Sequence, residues 1–345
     1  MKPSDKRNHA TRQIVAKRLA DDLGVSVSTI SRAFNRDAVI AAGTRSRILE
    51  YAASIGYRPN PYAQSLITRK NNIVGVIVSD IVNPFYPEVL TGLCEALRQA
   101  GLDVMLFTVP GDRAPDEILP KALVYRPEFV IVLAATISFQ AATEAAKIGT
   151  KLIFFNRYVP GMATFSVTCD NFRGGREVAD HLIRTGHRRM AYLAGPPDAT
   201  TTIDRWEGFR QRCAESGIED VGRLTANTFS YEAGFQTARQ LYAQRPSPDA
   251  IFCANDTLAM GVLDALRGDL GVKVPDEISI VGFDDISMTG WPSHSLTTYH
   301  QPIQRMIAAT IDLIERIGAD PDCAAEPIRL EGHLVVRDST RNQRC

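Results

Sequence analysis

Ser28, Thr29, Arg32 and Asn35 alternate with the apolar residues Ile30, Ala33 and Phe34. On a helix this spacing gathers short polar donors and one guanidinium along an exposed face, with the apolar residues behind it. Such a face is suited to hydrogen-bonding base edges in a DNA major groove. A second group of polar and aromatic residues punctuates the later chain. It comprises Asp80-to-Tyr86 with Asn83 and Phe85, Asn156-Arg157, Asp204-Arg205-Trp206, Phe229, Asn255-Asp256 and Asp284-Asp285. Carboxylates, amides and guanidinium groups hydrogen-bond hydroxyls, while aromatic faces cover the apolar faces of sugars or bases. Any one of these residues is more often a helix cap or a turn former, and Asn255 and Asp284 each fit that plainer role.

The first group needs a scaffold, and residues 15–35 supply one. Two short amphipathic helices are expected, the first burying Leu19, Ala20 and Leu23, the second Ile30, Ala33 and Phe34. Between them Gly24 can take the positive φ that ends a helix, Val25 fills the elbow, and Ser26 can cap the second helix. This is a helix-turn-helix, in a domain placed at 12–57 with a third helix at about Thr44–Gly56 burying Ile48, Leu49, Ala52 and Ile55. The net charge of zero hides an asymmetry. Residues 1–70 carry 13 Lys and Arg against 5 Asp and Glu, a formal +8, and the remainder carries 26 against 34, a formal −8. A basic head on an acidic body suggests that only the head meets a polyanion. Residues 1–11 read as a disordered basic N-terminus. Residues 58–70 read either as a plain linker or as a hinge helix, with Asn60 as cap and Pro61 at the first helical position. A helix that short is marginal alone and would order on DNA, with Leu66 as an apolar wedge for the minor groove.

From residue 71 the pattern changes to alternating strands and helices. Apolar runs at Ile73–Val78, Asp103–Phe107, Phe129–Ala134 and Lys151–Phe155 form one series; Met190–Leu193, Ala250–Cys253 and Ile278–Val281 form another. Helices are expected near 172–185, 204–216, 231–243 and 257–268. Continuous apolar strands between helices mean parallel sheets covered on both faces. Two series imply two similar α/β subdomains, about 71–168 with 301–328 and about 169–300 with 329–338. The second group of residues falls at the carboxyl ends of these strands, where such sheets bind ligands.

The chain closely resembles the LacI/GalR family of bacterial transcriptional regulators over residues 12–338. The resemblance rests on Leu19-Ala20 through Gly24-Val25-Ser26, Thr29-Ile30-Ser31-Arg32-Ala33-Phe34-Asn35, Thr44-Arg45 and Tyr57-Arg58-Pro59-Asn60 with Ala63 and Leu66. In the body it rests on Asn83-Pro84-Phe85-Tyr86, Asp170-Asn171, Gly186-His187-Arg188, Arg205-Trp206-Glu207-Gly208-Phe209, Asn255-Asp256, Val281-Gly282-Phe283-Asp284-Asp285 and Leu296-Thr297-Thr298. It implies an all-α helix-turn-helix head and an α/β two-lobed, periplasmic-binding-protein-like core of two Rossmann-like parallel-sheet subdomains. It also implies a homodimer, most readily a repressor, on palindromic operator DNA. Val27 and Ser28 would then discriminate operators and Arg32 would meet a guanine edge. Ser26, Thr29, Ser31 and Asn35 would position the head on phosphates or nearby bases. Asn60, Ala63 and Leu66 would serve at the hinge, with Leu66 bending the site. Three departures from the family pattern stand out: Ile14-Val15 before the first helix, Ala41 in place of a serine, and Pro61-Tyr62 in the hinge.

For the small-molecule effector the resemblance implies Asn83, Phe85, Asn156, Arg205, Phe229, Asn255 and Asp284. Arg205 and Asp284 would bind ligand oxygens, and Phe85 and Phe229 would offer stacking faces from opposite lobes. A carboxylate with two amides favours a sugar or sugar derivative over a purine, and Arg157 and Arg205 leave a sugar acid or phosphate open. Ligand closing the cleft would switch operator affinity through the marginal hinge helices, a coupling of ~1–3 kcal/mol. Whether the effector induces or corepresses is not legible.

Other classes fit less well. A solute-binding sensor without a DNA role would share the two-lobed body, but a signal-peptide h-region is missing and the +8 head has no purpose there. No G-x-G-x-x-G follows the first strand, no P-loop or G-x-S-x-G occurs, and the six histidines are scattered, each reading as a surface or capping group. No catalytic residue, metal site or cofactor is expected. The six cysteines lack C-x-x-C spacing and read as reduced residues of a cytoplasmic protein. No apolar stretch approaches the ~20 residues of a membrane span. Without a leucine-heptad tail after residue 338, a dimer is expected and not a tetramer.

Overall fold

The computed structural model describes residues 16–34, 38–57, 72–110, 114–133, 137–243 and 247–341. Two compact units emerge, residues 1–71 and 72–345. The first contains α1 (Ala16–Leu23), α2 (Val27–Phe34) and α3 (Ala42–Ser54). Leu19, Ala20, Ile30, Ala33, Ile48 and Ala52 form its core, with Leu23, Val25, Phe34 and Ile55 packed at the margin. The third helix begins two residues earlier than its pattern suggested, after Ala41, which makes no side-chain cap. Leu49, expected in the buried stripe, is 39% exposed. The expected disordered N-terminus and the hinge, with Asn60, Ala63 and Leu66, lie outside the described residues, as does Asn35.

The second unit holds two six-stranded sheets. The first is built from β1 (Ile73–Val78), β2 (Asp103–Thr108), β3 (Phe129–Leu133), β4 (Lys151–Phe155), β5 (Phe165–Cys169) and β11 (Pro327–Leu330), ordered β11-β5-β4-β3-β1-β2. Every pairing in it is parallel. The second is built from β6 (Met190–Ala194), β7 (Gly222–Thr225), β8 (Ala250–Cys253), β9 (Ser279–Asp284), β10 (Thr297–His300) and β12 (His333–Val335), ordered β12-β10-β9-β8-β6-β7. Only its β10–β12 edge is antiparallel. The central strands β3, β6, β8 and β9 are buried at every residue, as continuous apolar runs require when helices cover both faces.

The described α-helices of this unit are α4 (Phe85–Gln99), α5 (Leu119–Leu123), α6 (Phe139–Lys147), α7 (Asn171–Arg184), α8 (Thr200–Glu215), α9 (Tyr231–Tyr242), α10 (Asp256–Asp264) and α11 (Ile303–Ala319), of which α9 and α10 line the cleft between the lobes. The chain crosses between lobes three times, after β5, after β10 and after β11. The third crossing falls at 331–332, beyond the expected 328–329, because β11 pairs with β5 as the first sheet's edge. Strand β9 runs on to Asp284, so Asp284 is a strand end and not a loop residue. Helix α8 starts at Thr200, which sets Arg205 in its second turn.

The histidines correct the surface reading. His181 is 5% and His187 0% exposed. The first shares a 2.9 Å hydrogen bond with Thr340, and the second lies 3.3 Å from the Asp249 carboxylate. Cys169, Cys213 and Cys253 are buried, and all five described cysteines are free. Among the described residues no helix is long and apolar enough to cross a membrane, and no cluster of three or more metal-binding side chains occurs.

Candidate functional site

The head presents its polar face as the helix pattern dictates. Gly24 takes φ +66°, and the Val25 amide donates to the Ala20 carbonyl at 3.0 Å, closing the first helix. Ser26 caps α2 by accepting from the Thr29 amide at 3.1 Å, and its Oγ also lies 2.7 Å from Ser28 and 2.8 Å from Thr29 hydroxyls. Val27, Ser28 and Arg32 are exposed, and Thr29 and Ser31 are half-buried. Helix α3 locks this elbow: Arg47 donates to the Leu23 carbonyl at 3.0 Å and the Tyr51 hydroxyl to Asp22 at 3.1 Å. The result is a rigid helix bearing exposed donors and a free-standing apolar Val27, the geometry of a groove reader.

In the second unit a cleft of about 990 Å³ opens between the lobes. Ser79, Asp80, Asn83 and Arg157 line it from the first lobe; Pro196, Phe229, Ser230, Tyr231, Thr257 and Met288 line it from the second. Its volume stands at the upper end of the range for small-molecule pockets. Helices α9 and α10 point their N-termini toward the carboxyl ends of the second sheet, capped by Ser230 onto Ala233 and by Asn255 onto Leu258.

Arg205 and Asp284 form the polar floor of the second lobe. Both are buried, with Nη2 3.5 Å from the Asp284 carboxylate. Arg205 also donates from Nε to Asn171 at 2.9 Å and from Nη1 to the Ala254 carbonyl, and its guanidinium lies 3.6 Å above the Phe283 ring. Gln301 donates to the same Asp284 oxygen at 2.7 Å. Burial lifts the Asp284 carboxyl above the usual carboxylate range, while Arg205 and Gln301 pull it back. Asp256, one strand over, is raised by burial and then by the charge of Asp284, and it accepts from the Thr298 hydroxyl and the Ile286 amide.

Backbone strain concentrates here. Asn156 (φ +65°), Asp284 (φ +127°) and Asp285 (φ +60°) occupy the left-handed region that favours glycine. Such conformations cost about 1–3 kcal/mol each and recur at ligand clamps, because they aim a side chain off a strand end. Several buried polar atoms of this constellation have no hydrogen-bond partner: Asn156 Oδ1, Arg157 Nε, Arg205 Nη2, Asn255 Nδ2 and Gln301 Oε1. Of these residues Arg157 lines the cleft itself, while the other four are buried at or near the strand ends.

The expected effector residues therefore divide. Arg205 and Asp284 meet directly, and Asn83 and Phe229 line the cleft from opposite sides. Asn255 is a helix cap through its oxygen, yet its amide nitrogen remains open. Asn156 is 3% exposed beside Tyr86. Phe85 is 1% exposed and packs edge-on against Tyr86; like Asn156, Arg205, Asn255 and Asp284 it is buried and is not among the residues lining the cleft. Asn171 and Gln301 were not singled out. Gln301 follows β10, a short polar strand whose pattern gave no warning of a sheet position.

Tyr158, beyond β4, joins the lobes by donating to Asp204 of α8 at 2.9 Å. Burial and the Asp204 carboxylate push its hydroxyl up to about 12.

Residues 17–60 match the family described as bacterial regulatory proteins of the lacI family, and residues 179–340 match the periplasmic binding protein-like domain. The HTH-type transcriptional regulator DegA of Bacillus subtilis is 32% identical over 327 residues, covering 93% of this chain and 96% of its own. A solved complex of the transcriptional regulator CelR with cellobiose is 27% identical, with a TM-score of 0.71 over 94% of this chain and 99% of that one. The lac repressor dimer bound to operator and the anti-inducer ONPF superposes with a TM-score of 0.84 at 24% identity, over 95% and 99% of the two chains, and so shares the fold.

Proposed function

Since the chain belongs to the LacI family of bacterial regulatory proteins, we propose that it acts in the cytoplasm as a repressor, its homodimer gripping a palindromic operator under the control of a sugar-like effector. It is a DNA-binding transcriptional regulator, and its relatives are regulators and not enzymes. Arg32 and Ser28 read base edges, with Val27 against an apolar base surface; Ser26, Thr29 and Ser31 seat the helix on the backbone. Residues 58–70 couple the head to the core. The observation that carries the effector reading is the cleft in which Asp80, Asn83 and Arg157 of the first lobe face the aromatic Phe229 and the apolar Pro196 and Met288 of the second, with the open polar groups of Arg205, Asn255 and Gln301 buried in the second lobe. Hydroxyls satisfy such a set, and an aromatic face covers the apolar face of a pyranose. Sugar complexes of the relatives, such as that of CelR with cellobiose, support the same ligand class.

The test is a gel shift with an operator-bearing duplex in the presence of single mono- and disaccharides and their derivatives. At least one compound should change operator affinity about 5- to 150-fold, the range of a ~1–3 kcal/mol coupling. If no such compound alters it, the effector reading fails while operator binding stands.

A further inference from the structure

We propose, resting on the reading that the cleft takes a polyhydroxylated effector, that this effector carries an anionic group, a carboxylate or a phosphate, and that Arg157 binds it. Arg157 follows β4, lines the cleft and is 8% exposed. Its Nε is buried without a hydrogen-bond partner, and it joins none of the ion pairs among the described residues. The contrast with Arg205 is sharp, because that guanidinium has Asp284, Asn171 and a backbone carbonyl. What Arg157 meets instead is the ring of Phe229 from the opposite lobe, 5.9 Å from its guanidinium carbon. An aromatic face attracts a cation but leaves its N–H groups unused.

The acidic groups nearby do not supply the missing anion. Asp80 feels the Arg157 charge, yet it stands beyond ion-pair distance and accepts from the Asn83 amide at 3.3 Å. Asp198 and Glu232 are exposed on the far wall, and Glu232 accepts from Gln236 at 2.6 Å. Arginine stays protonated, so a buried guanidinium lacking a counter-charge is costly unless a ligand provides one. A carboxylate or phosphate matches its planar fork with two parallel hydrogen bonds. The N-terminus of α9, whose first residue Tyr231 lines the same wall, adds its positive end. The anion therefore sits between the lobes, where its binding holds them together.

The experiment is thermal melting of the full chain with matched compounds: glucuronate and glucose 6-phosphate against glucose, galacturonate against galactose, and gluconate against glucitol. The expected result is that at least one acid raises the melting temperature by several degrees while its neutral partner does not. The two anion sources are told apart by which acid acts. Arg157→Met should weaken binding of that acid about tenfold or more and should leave ligand-free melting unchanged or higher, since it removes an uncompensated charge. A neutral partner that binds as well as its acid overturns the anion while leaving the sugar reading intact. A fall in ligand-free melting for Arg157→Met marks the side chain as structural and also overturns it. No shift with any compound contradicts both readings.

Discussion

At the scale of single residues, the buried floor of the second lobe is an electrostatic arrangement with little slack. Arg205 is the only cation facing Asp284 within ion-pair distance among the described residues, and Gln301 is a neutral donor to the same carboxylate oxygen. Replacing Arg205 by alanine leaves Asp284 buried without its counter-charge, and it strips Asn171 of its donor. Breaking a buried pair from one side costs about 3–5 kcal/mol. Chemical denaturation of Arg205→Ala should show a loss of that order, and a loss below about 1 kcal/mol would mean that the pair is solvated and the floor is not as drawn. Arg205 and Asp284 were legible one by one through the family resemblance, although not as a pair. Asn171 and Gln301 were not, since an amide is chemically unremarkable until its partner is placed in space. Phe85, which the resemblance implied as a stacking face, is buried against Tyr86 at the start of α4.

At the scale of elements, the position of Arg205 depends on two glycines it never bonds. A Cβ on Gly175 of α7 would lie 2.2 Å from the Arg205 carbonyl oxygen, and one on Gly208 of α8 would lie 1.9 Å from the Phe172 carbonyl oxygen. The two helices therefore touch backbone to backbone, and α8 carries Arg205 one turn before Gly208. Gly208→Ala should force the helices apart, lowering stability by about 1–3 kcal/mol and weakening effector binding more than that loss explains, because the guanidinium is pulled off Asp284. Melting and effector titration of Gly208→Ala check this; unchanged effector affinity would separate the helix contact from the site. Legibility followed burial here as well. The strands that run through the centre of a sheet announced themselves as apolar runs, to within a few residues. Of the edge and near-edge strands β2 was read, but others were not: β7 reads Gly-Arg-Leu-Thr, β10 Thr-Thr-Tyr-His and β11 Pro-Ile-Arg-Leu, too short and too polar to stand out from loops. Missing β11 is what displaced the third crossing, and missing β10 is what hid Gln301.

At the scale of the whole molecule, the division of labour is visible in the charge of the sequence. A formal +8 over the first 70 residues and −8 over the remainder suit a head that meets phosphate and a body that does not. The three crossings between lobes after β5, β10 and β11 let the cleft open and close about a narrow band, in which Arg173 of α7 pairs with Glu331. Under the proposed function, a ligand held by both lobes biases that motion, and residues 58–70 pass the bias on to operator affinity. The most direct test is selection of tight binders from a pool of randomised duplexes, followed by affinity measurement at physiological salt. The expected result is an enriched duplex with two inverted half-sites, bound at least about a thousandfold more tightly than its scrambled counterpart. Enrichment of no inverted repeat, or equal binding of the scrambled duplex, would contradict it.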